Sequence, residues 1–446
     1  MAGMRTARIG FVGTRFAGTD GVSLEAAKWQ AILEELGHRV FHLAGELDRP
    51  ATSSRLVPEA FYCHPDIAAI NETVYGPSLA TARLAEMEGH LPHRRDFFSP
   101  YVRPPHIARR INDLTAHLRD ELSAFCRDFD IELLVAENAL AIPINLPLGL
   151  AITEFVAETG MPVIAHHHDL PWERQRFAVN SVADLIAAAF PPPLPSVRHV
   201  VINSVQAQHL AWRAGLTSRV IPNVMDFDTP PPPIDDYARA ARKDLGVGTD
   251  ELLILQPTRI IARKGIEHAI ELTRRLGRPA RLIISHAAGD EGSDYEQRVR
   301  EFARLLDVDV RFESDLVATE RTSLPDGRRT YTLADVYPHA DLVTYGSSIE
   351  GFGNAFLEAV YHHRPIVVNR YSIYEIDIQP KGFRAIEFDS FISERTLAEV
   401  RTLLDDPAMA EEWADVNYQL ASRHFSHGVL RRRLEALLLE CFGDEP

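Results

Sequence analysis

Short apolar runs rich in Val, Ile and Leu alternate along this chain with longer stretches whose apolar residues recur every three or four positions. The short runs read as strands buried on both faces, and the longer stretches as amphipathic helices packed over them. Residues 9–12 predict a first strand. A polar loop follows over 13–23, with Gly18 and Gly21, and helical spacing then runs over 24–36 until Gly37 stops it. A second strand starts at 40–43, which completes a βαβ opening. Residues 50–110 are broken by prolines from Pro58 to Pro105 and read as loops and short helices set outside the main sheet. Helical spacing returns over 114–125, and strands are predicted at 131–135, 163–165 and 200–202.

The alternation breaks at Thr229-Pro230-Pro231-Pro232-Pro233-Ile234, a stiff segment that neither a helix nor a central strand tolerates. It then restarts, with strands predicted at 252–255, 281–285, 308–312 and 342–345 and helices over 265–276 and from Asn354. Residues 409–441 are largely helical in pattern. Two α/β units with parallel sheets, joined near residue 225, are the simplest architecture.

Composition narrows the function. The 446 residues fit two or three domains, and 46% hydrophobic residues supply packed cores. A formal net charge of −16 opposes binding to nucleic acid or to an anionic membrane. Cys63, Cys126 and Cys441 are far apart and form no CxxC pair, which disfavours zinc sites and disulfides and fits a reducing compartment. The start of the chain runs straight into a strand, too short for a signal-peptide core, and no apolar run reaches membrane-spanning length. A cytoplasmic protein is expected, with a homo-oligomer left open.

Three constellations carry chemistry. The run Ser347-Ser348-Ile349-Glu350-Gly351-Phe352-Gly353-Asn354-Ala355-Phe356-Leu357-Glu358-Ala359 follows a predicted strand and opens a helix. Its glycines allow close backbone approach, and the helix N-terminus offers N–H groups to an anion. Glu350 and Glu358 bracket the turn and can accept hydrogen bonds from two sets of hydroxyls on one ligand; two solvated glutamates are the bland alternative. The run Gln256-Pro257-Thr258-Arg259-Ile260-Ile261-Ala262-Arg263-Lys264-Gly265 also joins a strand to a helix. There Arg259 and Lys264 suit a diphosphate, while Arg263 reads as surface charge. The third is Ile221-Pro222-Asn223-Val224-Met225-Asp226, just before the proline segment. His166-His167-His168 invites a metal reading, but successive strand side chains alternate faces, so the three cannot chelate one ion. Arg94, Arg95 and neighbouring basic residues form a local basic cluster that suits an anionic acceptor or a solvated surface, and Arg15 is a further acceptor candidate.

Together these motifs resemble the GT-B glycosyltransferases, specifically the retaining family 4. That family's "IPNGVD", "GR-x(4)-KG" and "EGFG-x(3)-LEA" patterns stand here at 221–226, 259–265 and 350–359, in the family's order. The resemblance implies two Rossmann-like domains facing across a cleft, over 1–222 for the acceptor and 223–412 for the nucleotide sugar, with closing helices over 413–446 packing back on the first. It implies that Glu358 binds the donor ribose, Glu350 the transferred sugar, and Arg259 and Lys264 the diphosphate. Gly351, Phe352, Gly353 and Asn354 would line the donor, with Gly21 near the phosphates. His168 would lie close to the reacting sugar and Asp169 beside the acceptor. The implied partners are a nucleotide-sugar donor, UDP-glucose or GDP-mannose, and a small polar acceptor such as glycerate, a glycosylglycerate or a sugar phosphate. No tightly bound cofactor or metal is required, although a divalent cation could assist. The chain departs from the family at Thr258 and Val224, where glycine is usual, and at Asn354, where an apolar residue is usual. Asn369-Arg370-Tyr371-Ser372-Ile373-Tyr374 stands in place of a glycine-rich loop. Rival readings are a GT-B epimerase, a nucleotide-sugar sensor without catalysis, and an NAD-dependent dehydrogenase, the last opposed by the lack of a compact GxGxxG.

Overall fold

The computed structural model describes residues 6–18, 20–76, 102–287 and 294–443. Arg94 and Arg95 lie outside the described residues. The chain divides into two compact units, one of 1–222 with 430–446 and one of 223–429.

The first unit holds a seven-stranded sheet in the order β3-β2-β1-β4-β5-β6-β7. Its strands are β1 (Arg8–Val12), β2 (Arg39–Ala44), β3 (Ser54–Leu56), β4 (Leu133–Glu137), β5 (Val163–His167), β6 (Val197–Val201) and β7 (Ser218–Val220). All pairs are parallel, and β4 and β5 are buried along their whole length, as expected for the middle of a sheet with helices on both faces. Phe125, Leu148, Ile152 and Phe155 from the helices Pro105–Asp128 and Leu146–Thr159 pack with Leu134 and Val163 in one core.

Two readings of the sequence need correction here. Residues 54–56 belong to the main sheet, as its edge strand β3, and a helix Pro65–Tyr75 follows. The helix expected at 114–125 already begins at Pro105. Proline suits that first position because its missing N–H falls where a helix has no acceptor to offer.

The second unit holds a six-stranded parallel sheet in the order β10-β9-β8-β11-β12-β13. These are β8 (Leu252–Gln256), β9 (Ala280–Ile284), β10 (Val310–Phe312), β11 (Leu342–Tyr345), β12 (Ile366–Asn369) and β13 (Ile386–Phe388). Ile254, Ile284, Leu342 and Val367 from the sheet pack against Ile270 and Val400 from the flanking helices. Each sheet reverses direction once, between β1 and β4 and between β8 and β11. In doubly wound sheets the loops diverge at such a point and leave a crevice at the carboxyl ends of the strands.

At the second reversal the two loops touch backbone to backbone. A Cβ added to Gly265 would lie 2.5 Å from the Gly346 carbonyl oxygen, and one added to Gly346 would lie 2.6 Å from the Gly265 carbonyl oxygen. Gly265 also has φ +57°, a left-handed conformation that favours glycine. Gly265→Ala is therefore expected to cost about 2–3 kcal/mol of stability, because neither backbone can yield. Gly277→Ala shares the positive φ (+69°) but meets nothing within 4 Å, and should cost only about 1 kcal/mol. Equal shifts of the urea unfolding midpoint in the two variants would show that the close contact is not what requires glycine.

Candidate active site

The loops after β8 and β11 bring most of the sequence-predicted donor residues to one sheet edge. After β8, a short 3-10 turn Ala262–Lys264 leads through Gly265 into the helix Ile266–Leu276. After β11, the glycine-containing loop leads through Gly353 into the helix Asn354–Tyr361. Both helices have glycine as the N-cap, with no side chain of its own to cap them, although the Ile266 N–H donates to the Tyr295 hydroxyl at 3.1 Å. Lys264 Nζ bonds directly to Glu350 Oε1, and Arg263 Nη1 reaches Glu350 Oε2 at 3.0 Å and the Ile349 carbonyl at 3.2 Å. Arg263, read from the sequence as surface charge, is thus part of the site; two adjacent cations left no sign of which faces inward.

Glu350 and Lys264 are nearly buried. Burial pushes the Glu350 carboxyl up, but Lys264 and Arg263 outweigh it and hold the group below its ordinary range. Burial pulls the Lys264 ammonium below its ordinary value; Arg263 and Arg259 add to this and Glu350 opposes it. Arg259 is exposed and makes no ion pair among the described residues. Arg263 and Lys264 on one carboxylate, with Arg259 close to Lys264, leave an excess of positive charge beside two helix N-termini, which is the electrostatics of an anion site. Glu358 lies on the helix, where its Oε2 accepts a 2.9 Å bond from the Tyr337 hydroxyl.

The departures at Thr258, Asn354 and the segment from Asn369 have structural partners. Thr258 Oγ1 accepts from Gln256 Nε2 at 2.8 Å, and Gln256 Oε1 accepts from Thr344 Oγ1 at 2.7 Å, so a buried polar ladder ties β8 to β11 below the loop. Asn354 Oδ1 accepts from Asn223 Nδ2 at 2.8 Å, which joins the donor helix to the 221–226 motif. Tyr371 donates to the Phe352 carbonyl at 2.7 Å, and Asn369 Nδ2 donates to the Ser347 carbonyl at 3.2 Å. Side chains thus brace the loop where a glycine-rich segment was expected. Gly353 has φ +147°, and a Cβ there would meet the Tyr371 hydroxyl at 2.4 Å.

In the first unit the candidates lie at the carboxyl ends of β1 and β5. Asp20 caps the helix Gly21–Glu35 by accepting from the N–H groups of Val22 and Ser23, and it pairs with Arg15 at 3.1 Å. Gly21 begins that helix, and a Cβ added there meets nothing within 4 Å, so packing does not require glycine at this position. Asp169 accepts from Arg174 at 2.7 Å. His166 and His168 face one side of β5 and meet Glu137, the last residue of β4, while His167 faces the other side and bonds His199 at 3.0 Å. Glu137 was not singled out in the sequence; a carboxylate ending an apolar strand was the available signal. Glu137, His166 and His168 have the donor types of a metal site, with ligand atoms within 4.8 Å of one another. Direct contacts of 3.1 and 2.5 Å make them a closed hydrogen-bonded network.

Removing Glu350 strands a buried cation. Glu350→Ala is expected to lower the stability of the ligand-free protein by about 3 kcal/mol near neutral pH. Because the Glu350 pKa is depressed on folding, its contribution is present above the ordinary carboxyl value of 4.5 and is lost as pH falls through the lower folded value. Denaturant unfolding of the two proteins between pH 3 and 8 checks this; a difference independent of pH would remove charge as the cause.

No protein-family model matches the chain. It is 28% identical, over 94% of its length and 96% of the relative, to the mannosylglucosylglycerate synthase of Thermotoga maritima. It is also 28% identical to the mannosylglucosylglycerate synthase of Petrotoga mobilis, with 86% of each chain covered. A solved glycosyltransferase from Rickettsia africae superposes with a TM-score of 0.65 at 11% identity, over 99% of this chain and 100% of the other. Anabaena HepE in complex with UDP and glucose superposes with a TM-score of 0.61 at 15% identity, over 97% and 100%. At such identities these structures establish the fold alone. No described helix is long and apolar enough to cross a membrane. The two Rossmann-like sheets and the similarity over most of the chain to two mannosylglucosylglycerate synthases make this chain a GT-B-fold glycosyltransferase related to the family-4-like enzymes.

Proposed function

We propose that this enzyme transfers a hexosyl group, with retention of configuration, from a nucleotide sugar to a glycosylglycerate such as glucosylglycerate. The observation that carries the reading is the pairing of Arg263 and Lys264 with the single carboxylate of Glu350, with Arg259 close to Lys264 and in no ion pair among the described residues. It supplies fixed positive charge where a leaving nucleoside diphosphate becomes more negative, the usual main source of catalysis in such a transfer. Glu358, oriented by Tyr337, receives the ribose hydroxyls, and Glu350 with the backbone of Gly351, Phe352, Gly353 and Asn354 receives the sugar. The similarity to mannosylglucosylglycerate synthases over nearly the whole chain supports a glycerate-bearing acceptor. The first unit holds that acceptor, with Arg15 and Asp169 as candidate contacts.

In the transfer the bond between the anomeric carbon and the phosphate oxygen breaks, and a bond to the acceptor hydroxyl oxygen forms on the same face of the sugar. The acceptor proton passes to the departing diphosphate. Arg259 and Lys264 stabilise the charge left on that group, and the open space at Gly21 admits a ligand close to the first unit's backbone.

Nucleoside-diphosphate release from UDP-glucose and GDP-mannose, with glycerate, glucosylglycerate and sugar phosphates as acceptors, tests the reading. Acceptor-dependent release is expected, with kcat reduced roughly 10²–10³-fold by Lys264→Ala. Release that ignores the acceptor, or survives Lys264→Ala and Glu350→Gln, would contradict it; nucleotide binding without any transfer would favour a sensor. Gly21→Ala is expected to leave the thermal unfolding midpoint in place while lowering turnover, whereas a lowered midpoint would make Gly21 a structural glycine.

A further inference from the structure

We propose that Glu137 is a positioning residue that holds His168 as an imidazolium, so that His168 presents a cationic N–H donor, not a base, to the reacting groups. The inference rests on the transferase reading above for its consequence, and on the geometry of the first unit for its substance.

The cluster follows from strand register. Glu137 on β4 lies directly opposite His166 on β5, so the two side chains share a face, and His168 two residues on returns to that face. The Glu137 carboxylate has no solvent exposure. A buried carboxylate stays charged only with charge-bearing or multiple hydrogen-bond partners. Here the partners are His166 Nδ1 at 3.1 Å and His168 Nε2 at 2.5 Å. An ionised carboxylate only accepts hydrogen bonds, so both of these nitrogens carry protons.

The second nitrogen of each ring decides where the charge lies. His166 Nε2 is buried with no partner, and Trp29 stacks on the ring at 4.1 Å. A proton there would be an unsatisfied buried donor on a cation, so His166 is the neutral Nδ1–H form. The other charged groups around the cluster are Glu25, Asp169 and Lys28. Glu25 pairs with Lys28 at 2.8 Å, and Asp169 pairs with Arg174 at 2.7 Å. His167, on the opposite face, is kept neutral by burial and by its histidine neighbours. One charge therefore remains to balance Glu137, and His168 supplies it. The shifts agree: burial opposes the His168 cation, yet Glu137 raises its pKa, while the Glu137 carboxyl is pulled down to about 2.

With Nε2 held by Glu137, His168 offers Nδ1 to a ligand, and as an imidazolium it cannot accept the acceptor's proton. The proton must leave by another route, which is the departing diphosphate in the transfer described above. Because the folded pKa of His168 is raised, the active protonated form persists below it and is lost as pH rises through it. A general base would give the opposite limb, with activity lost as pH falls.

Histidine ring titration by nitrogen-15 NMR on the substrate-free enzyme is the direct test. His168 is expected to stay protonated above its ordinary value of 6.5, and in Glu137→Gln to lose that proton at a lower pH than in the wild type. In kinetics, Glu137→Gln is expected to move the alkaline limb of kcat to lower pH, with a donor KM changed less than about threefold. A neutral His168 in wild type at pH 7 overturns the proposal, and this holds even if the variant fails to fold. So does an activity limb on the acid side that follows His168, or one-equivalent binding of added Zn²⁺ that is lost in His166→Ala. If no acceptor is glycosylated, the transferase reading fails, while the titration still decides the protonation of His168.

Discussion

The backbones of Gly265 and Gly346 lie so close that neither position has room for a methyl group, and the donor half of the site depends on this contact. It occurs between β8 and β11, where the order of the sheet reverses and two loops leave neighbouring strands. Lys264 precedes one glycine, and the loop carrying Glu350 follows the other. Their ion pair is a result of this backbone contact more than its cause. A pair of long side chains alone gains little when each must be fixed in one rotamer; here the loops are fixed first and the charges meet with little further loss of freedom.

Around that contact, polar side chains do work that glycines do in the pattern this chain resembles. Thr258, Asn354, Asn369 and Tyr371 each bond to a backbone carbonyl or to another side chain at the base of the donor loop. They tie β8, β11, the 221–226 motif and the segment after β12 into one frame. A braced loop holds its backbone dipoles and cations in place before a ligand arrives, so less reorganisation is left for the moment of reaction.

The two units treat charge differently. In the second, Arg263 and Lys264 share one carboxylate while Arg259, near Lys264, stays exposed, which leaves a positive field for an anion. In the first, the carboxylates of Glu25 and Glu137 are buried and are matched by Lys28 and His168. An open, unbalanced site binds a charged group, whereas a closed, balanced one fixes the position and protonation of a single side chain.

The sequence by itself determined the α/β class, the central strands, the loops after β8 and β11 and the identity of Glu350, Glu358, Arg259 and Lys264 as donor candidates. These are local properties: buried parallel strands write continuous apolar runs, and loop–helix junctions write glycine and charge at fixed spacing. The edge strands β3 and β7, three residues each and carrying an arginine, write no such run, and β12 and β13 were likewise not anticipated. Only the tertiary structure decided that Arg263 faces Glu350, that Gly346 needs to be glycine because of Gly265, and that Glu137 meets His166 and His168. Each of these depends on which strands are neighbours and in what register. That information is set by packing between segments 29 to 87 residues apart, and no local pattern carries it.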